Sequence, residues 1–229
     1  MAYNASRKIH RLSSQLEKKA LIQIEGSTCS GKTSFVLGLC KELTGNGIKV
    51  MHIEEAATKV FKASKNILEQ LQSDPESNQW SKAKLELQQR VISEQLASLK
   101  SFAENNEYVI AIMDRGGAST AYHTIPLLSN EEKESIKNLC RDIGKMATLT
   151  IMLSPLGFLK QDSYRYQKTI NEIEEEAIGI KNYLDSWEIR YLEILPDTRA
   201  VRLTVGLNYI LDELNVKTTK KSCVCYAKR

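Results

Sequence analysis

Leu21-Ile22-Gln23-Ile24-Glu25-Gly26-Ser27-Thr28-Cys29-Ser30-Gly31-Lys32-Thr33-Ser34-Phe35-Val36 changes character twice along its length. Leu21 to Glu25 is a short, mostly apolar run that reads as a buried strand. From Lys32 the apolar residues Phe35, Val36, Leu39, Cys40 and Leu43 recur at helical spacing, and Gly45-Asn46-Gly47 ends that helix. The join, Gly26 to Thr33, fits G-x-x-x-x-G-K-[ST]. Its glycines let the backbone wrap a phosphate, and its N–H groups, with the positive end of the helix behind them, point at phosphate oxygens. Lys32 would reach the β- and γ-phosphates of ATP, and the Thr33 hydroxyl would bind Mg²⁺. Gly26, Ser27, Thr28, Cys29, Ser30, Gly31, Lys32, Thr33 and Ser34 are therefore the candidate nucleotide-binding residues.

The same grammar continues outward. Ile48 to Ile53 reads as a second strand, and a helix is expected from about Ala56 to Leu71, where Asp74-Pro75 interrupts. Lys82 to Phe102 is strongly periodic, with Leu85, Val91, Ile92, Leu96 and Leu99. Val109 to Met113 is apolar throughout, as a central parallel strand buried on both faces would be. Glu131 to Met146 reads as a helix, Thr148 to Leu153 as a fourth strand, and Ile170 to Ile194 as one long acidic helix. Ala200 to Val205 alternates like a fifth strand, with a helix following from Gly206 to about Leu214. Strands alternating with helices predict a three-layer α/β fold of P-loop nucleoside triphosphate hydrolase type, with a parallel sheet of about five strands and a small lid.

Composition narrows the classes. The chain has 229 residues, 42% of them hydrophobic, which suits one domain with a substantial core. No run of eighteen apolar residues occurs, so no membrane partner is expected. The net charge is +4, but residues 1–19 carry +4 and residues 216–229 carry +5, leaving a body of −5. A mildly acidic body argues against a nucleic-acid surface, where basic charge should line one face of the fold. The expected organisation is a basic N-terminal arm (1–19), a catalytic domain (20–215) and a basic C-terminal tail (216–229). Cys29, Cys40, Cys140, Cys223 and Cys225 occur without a secretory signal, so a reduced, cytoplasmic protein is expected. Cys223-Val224-Cys225 lacks the companions of a zinc site. Cys29 lies inside the phosphate-binding loop, so its oxidation is a candidate route to blocking ATP. Whether a homodimer forms stays open.

Among P-loop classes, a GTPase should carry N-K-x-D, and no Asn-Lys pair occurs in the chain. A motor or transport ATPase normally needs more chain. A compact small-molecule kinase fits better. Ile24-Glu25-Gly26, the P-loop, and Asp114-Arg115 after the third strand together resemble the thymidylate kinase and deoxynucleoside kinase superfamily. Asp114-Arg115-Gly116-Gly117-Ala118-Ser119-Thr120-Ala121-Tyr122 is similar to the thymidylate kinase pattern of Asp-Arg followed by Ser and Ala-Tyr, one residue shorter. Glu54-Glu55-Ala56-Ala57-Thr58 resembles instead the P-loop kinases related to nicotinamide riboside kinase, and also the Glu after strand two of deoxynucleoside kinases. The resemblance covers about residues 20–210.

It implies an ATP- and Mg²⁺-dependent phosphotransferase acting on a small-molecule acceptor, a nucleoside or nucleoside monophosphate. Such chemistry demands positioning and charge neutralisation. The catalytic candidates are Lys32, Glu55, Asp114, Arg115 and Arg165. Glu55 would take the acceptor's proton, with Glu54 its rival. Asp114 would hold Mg²⁺ with Thr33, and Arg115 would bind the acceptor or its phosphate. Arg165, in Asp162-Ser163-Tyr164-Arg165-Tyr166 where these families keep a lid, would neutralise the transferring group, with Lys168 second. Glu55, Gln88, Arg90, Arg115 and Tyr122 are the substrate-binding candidates; a helix carrying Gln88, Gln89 and Arg90 corresponds to one that reads a base. Thymidylate kinases place Arg-Glu-Pro where this chain has Glu54-Glu55-Ala56, and the lid lacks an arginine cluster, so the acceptor stays open. The alternatives are a nucleotide-binding regulator or assembly factor with slow ATP hydrolysis, and an end-kinase on nucleic acid.

Overall fold

A computed structural model describes residues 19–64, 78–157 and 168–214. Five parallel strands form one sheet in the order β2-β3-β1-β4-β5: β1 Ala20–Gly26, β2 Val50–Ile53, β3 Ile110–Asp114, β4 Leu149–Leu153 and β5 Leu192–Ile194. The α-helices among the described residues are α1 Lys32–Gly45, α2 Ala56–Ala63, α3 Asn78–Glu104, α4 Gly117–Thr124, α5 Asn130–Lys145, α6 Ile170–Ser186 and α7 Arg199–Glu213, with a 3₁₀ turn at Ile125–Leu127. None is long and apolar enough to cross a membrane.

β1 sits in the middle, with Ile24 opposite Asp114 on one side and Ile151 on the other. The chain leaves β1 for β2 and β3 on one flank and returns to the other flank for β4. Strand order therefore reverses beside β1, and open α/β sheets bind ligands in the crevice at the carboxyl end of such a switch point.

Successive strand residues face opposite sides, so the sheet builds two cores. Ile22 and Ile24 pack with Phe35, Val36 and Leu39 of α1 and with Tyr209 and Ile210 of α7. Leu21 and Met113 face the other way, against Leu99, Phe102 and Ile143. A neighbouring cluster joins Met152 to Ala118 and Ala121 of α4 and to Ile180, Leu184 and Trp187. Burying side chains of this size contributes about 1.5–3 kcal/mol each. Gln23 and Glu25 share the Leu21 face and are fully buried, so each needs partners. Gln23 Nε2 donates to the Thr150 hydroxyl at 2.7 Å and the Gly144 carbonyl at 3.1 Å.

The end of the chain corrects the sequence reading. The long helix expected over 170–194 stops at Ser186, and Leu192–Ile194 is the fifth strand. The break carries no glycine or proline: Glu188 itself adopts φ +56°, and the Ile189 N–H returns to the Leu184 carbonyl at 2.9 Å. Residues 200–205, expected as a strand, instead form the start of α7. Thr198 caps that helix by accepting from the Val201 N–H at 3.3 Å. Its buried residues, Arg202, Gly206, Asn208, Tyr209 and Ile210, cluster on one helical face, a pattern that the β-branched Val201 and Val205 disguised. The expected helix ending near Leu71 is described as Ala56–Ala63, and residues 65–71 lie outside the described residues. So do the lid segment 162–166, residues 1–18 of the N-terminal arm, and the tail 216–229 with Cys223 and Cys225.

Candidate functional site

The loop after β1 needs backbone shapes that most residues resist. Gly26 has φ +147° and Gly31 φ +82°, and Cys29 also adopts a left-handed φ of +58°. A Cβ on Gly26 would lie 2.7 Å from the Leu153 carbonyl oxygen, so only glycine lets β1 turn this close to β4. Lys32 folds back over the loop, its Nζ 2.7 Å from both the Gly26 and Ser27 carbonyls. Burial lowers the Lys32 pKa, opposed by the charges of Glu55 and Asp114. The Ser27 and Ser30 hydroxyls are buried without a hydrogen-bond partner.

Asp114 ends β3 and lies 2% exposed beside this loop. Its Oδ2 accepts from the Thr33 hydroxyl at 2.7 Å, while its Oδ1 is buried with no partner. Burial raises the Asp114 pKa, and Lys32 and the Thr33 hydrogen bond pull it back. A hydroxyl and a carboxylate with a spare oxygen are hard donors of the kind Mg²⁺ takes when substrate phosphate and water complete the shell. Among the described residues, no cluster of three or more His, Cys, Asp or Glu could hold a metal by itself.

Arg115 continues from Asp114 at φ +82°, a left-handed conformation that costs a non-glycine residue about 1 kcal/mol or more. Two contacts hold it there. Its N–H donates to the Ile24 carbonyl at 3.1 Å, and its carbonyl accepts from Gln95 Nε2 at 3.0 Å. Gln95 is buried on α3 and is fixed at its other end by the Thr120 hydroxyl at 3.2 Å. The turn aims the Arg115 guanidinium at Glu55, with Nη1 3.3 Å from Oε1. Glu55 precedes α2, and its Oε2 accepts from the Thr58 hydroxyl at 2.6 Å. A small crevice opens here, lined by Glu54, Ala56, Val91, Gln95, Asp114 and Arg115.

Glu25 explains the residues after Arg115. Its carboxylate accepts from the Ala118 N–H at 2.9 Å, the Ser119 N–H at 3.2 Å and the Ser119 hydroxyl, capping α4 from the neighbouring strand. Burial raises its pKa, and these hydrogen bonds oppose the rise. A side chain on Gly116 would overlap Gln23 and Glu25, and one on Gly117 would overlap the Cys140 carbonyl. The Gly116-Gly117 pair thus lets α4 dock on β1 and α5 at once.

A second charged cluster flanks the loop. Glu176 of α6 is 1% exposed; its Oε1 lies 2.9 Å from His123 Nε2 and 3.4 Å from the Thr28 hydroxyl, and its Oε2 lies 2.6 Å from Lys168 Nζ. Burial works to raise the Glu176 pKa, but His123 and Lys168 outweigh it and hold the carboxyl well below the usual range. Burial, helped by the Arg115 charge, lowers His123 to about 4 against the pull of Glu176. The pair is therefore a neutral imidazole donating to a carboxylate.

The structure brings Lys32, Thr33, Glu55, Asp114 and Arg115 together at the carboxyl edge of the sheet. Arg165 lies outside the described residues. Gln88 is buried on α3, where its Oε1 accepts from the Thr124 hydroxyl at 3.4 Å, while Arg90 is exposed. The Tyr122 ring packs edge-on to His123 and fills the space beside Gly179 of α6. Ser34 is exposed on the first turn of α1. Sequence reasoning missed Gln95, His123, Glu176 and Arg202. Glu176 ends the run Glu174-Glu175-Glu176, and helical phase, with buried Ile173, Ala177 and Ile180 around it, was the signal that could have singled it out.

A family model described as an AAA domain matches residues 21–202. Two solved structures share the fold: NadR protein in complex with NR, with a TM-score of 0.64 and 16% identity, and NadR protein in complex with NAD and AMP-PNP, with a TM-score of 0.60 and 15% identity. Each alignment covers 91% of this chain, but only 55% and 53% of the NadR chains, so this chain spans about half their length. No curated protein matches the sequence.

Proposed function

The chain belongs to the AAA domain family, and on that footing we propose that it transfers the γ-phosphoryl group of ATP to a hydroxyl of a nucleoside or nucleoside monophosphate. The observation that carries this reading is the junction at Asp114-Arg115. Asp114 is bonded to Thr33 of the phosphate-binding loop, and the next residue, Arg115, is paired with Glu55 between β2 and α2. A phosphate half and an acceptor half therefore meet at adjacent residues. The NadR structures, one holding NR and one holding NAD with AMP-PNP, support a ligand of this class for the shared fold.

In this mechanism the loop N–H groups hold the β-phosphate, and Lys32 exchanges the Gly26 and Ser27 carbonyls for phosphate oxygens. Mg²⁺, held by Thr33 and Asp114, would neutralise phosphate charge. Glu55 accepts the proton of the attacking hydroxyl, and the Arg115 guanidinium, fixed by that same carboxylate, orients the acceptor. The domain doing this is residues 20–215.

The test is ADP release from Mg-ATP across a panel of nucleosides, nucleoside monophosphates and nicotinamide riboside. Strong stimulation by one acceptor is expected. ATP binding without acceptor-dependent turnover would overturn the kinase reading in favour of a nucleotide-binding regulator.

A further inference from the structure

Arg202 is 4% exposed, on α7 behind the phosphate-binding loop. Its Nη1 donates to the Ser30 carbonyl at 2.9 Å and its Nη2 to the Ser154 carbonyl at 3.3 Å, while its Nε is buried with no partner. Among the described residues no carboxylate forms an ion pair with it, although Asp197 is near enough to favour its charge; burial lowers its pKa. A buried guanidinium bonded only to carbonyls is costly unless something else compensates it. Arg199, one turn earlier, is exposed and only 3.5 Å from the Ser34 carbonyl.

The place of the contact supplies the compensation. A trans peptide is planar, and its C=O and N–H point in opposite directions. A Ser30 carbonyl drawn back toward α7 leaves the Gly31 N–H pointing away from α7, toward the side where the loop binds phosphate. A Cβ built on Gly31, which sits at φ +82°, would lie 3.7 Å from Arg202 Nη1, in van der Waals contact with the guanidinium. We propose that Arg202 is the positioning residue of the phosphate site: it locks the Ser30–Gly31 peptide in its anion-binding orientation and lends that site a positive charge from behind. The bound phosphates are then a counter-charge beyond the Asp197 carboxylate, with which Arg202 forms no ion pair among the described residues.

This rests on the nucleotide-binding part of the proposed function, so binding is measured first on the unaltered full chain. Titration calorimetry with ATP and with inorganic tripolyphosphate, which has no base or ribose, is repeated on Arg202→Met, Arg202→Lys and Arg199→Met. All measurements are made at a temperature where circular dichroism shows each variant folded. Both Arg202 variants are expected to lose about tenfold or more in affinity, equally for ATP and tripolyphosphate, because lysine keeps the charge but cannot hold two carbonyls in one plane. Arg199→Met should bind as the unaltered chain does. If the unaltered chain binds neither ligand, the nucleotide reading fails. If it binds both and folded Arg202→Lys binds them equally well, only this inference fails. A loss confined to ATP would also overturn it, since Arg202 would then act on the base or ribose. Should Arg202→Met not fold, Arg202→Lys alone decides.

Discussion

The two halves of the site are built from different material. The phosphate half is backbone: one contiguous loop, two glycines with positive φ, and carbonyls that already engage Lys32. The acceptor half is assembled from the turns after β2 and β3 and from α3 and α4, with Glu55, Gln95, Arg115 and Thr120 in one chain of contacts. Backbone shape is dictated by local residues and tolerates little change. A constellation of side chains depends on packing between distant elements, so it is where specificity can vary while the fold persists.

The comparison breaks at Lys32 or not at all. Lys32→Ala should lower acceptor-dependent ADP release by about a thousandfold or more, roughly 4 kcal/mol of lost stabilisation, with circular dichroism unchanged. Full turnover in a folded variant would show that the loop is not used. Glu55→Gln should cost about a hundredfold in kcat while ATP affinity stays the same, because the carboxylate belongs to the acceptor half. Equal losses in ATP affinity and kcat would show that the two halves are not separable at the Asp114-Arg115 junction.

The flanking cluster gives a milder handle, through pH. His123 is held at about 4 rather than its ordinary 6.5, so between those values the unfolded chain binds a proton that the folded chain refuses. Stability conferred by this residue is thus present above pH 6.5 and drains away as pH falls toward 4, by about 3 kcal/mol in all. His123→Gln should flatten that part of a urea-denaturation series. The depressed Glu176 carboxyl shifts the same way, contributing stability above its unfolded value that is lost only at still lower pH. A slope between pH 4 and 6.5 that survives in His123→Gln would place the titrating group elsewhere.

Legibility in the sequence follows the same division. The strand-loop-helix unit at Leu21–Leu43 and the apolar β3 could be read because their signals are local: glycine at fixed offsets and uninterrupted apolar runs. The α6–β5 turn could not, since Glu188 takes a left-handed conformation without glycine, and β5 is only three residues long, with Glu193 in the middle. Asp114 and Arg115 announced themselves as charges ending an apolar strand. Arg202 did not, because a buried arginine on a helix looks from sequence like a polar position in an alternating strand. Gln95 was hidden for a related reason: α3 carries Gln88, Gln89 and Gln95, and which amide is aimed at the site depends on the phase of α3 against β3.

That ambiguity yields the smallest and sharpest effect. Gln95→Leu keeps the volume but takes from the Arg115 carbonyl its Gln95 donor, while the Thr120 hydroxyl keeps the Gly116 carbonyl at 2.9 Å, and so releases an arginine already in an unfavourable backbone conformation. An orphaned buried carbonyl costs about 1–3 kcal/mol if the structure does not relax. Part of that cost should appear as lost stability and part as misplacement of the guanidinium, giving about a tenfold fall in kcat/KM for the acceptor with ATP affinity unchanged. Arg90→Ala, two residues from Gln88 and exposed on the same helix, should change kcat/KM by less than about twofold. The reverse order, with Arg90 mattering and Gln95 silent, would mean that the acceptor lies along the outer face of α3 and not in the crevice beside Arg115.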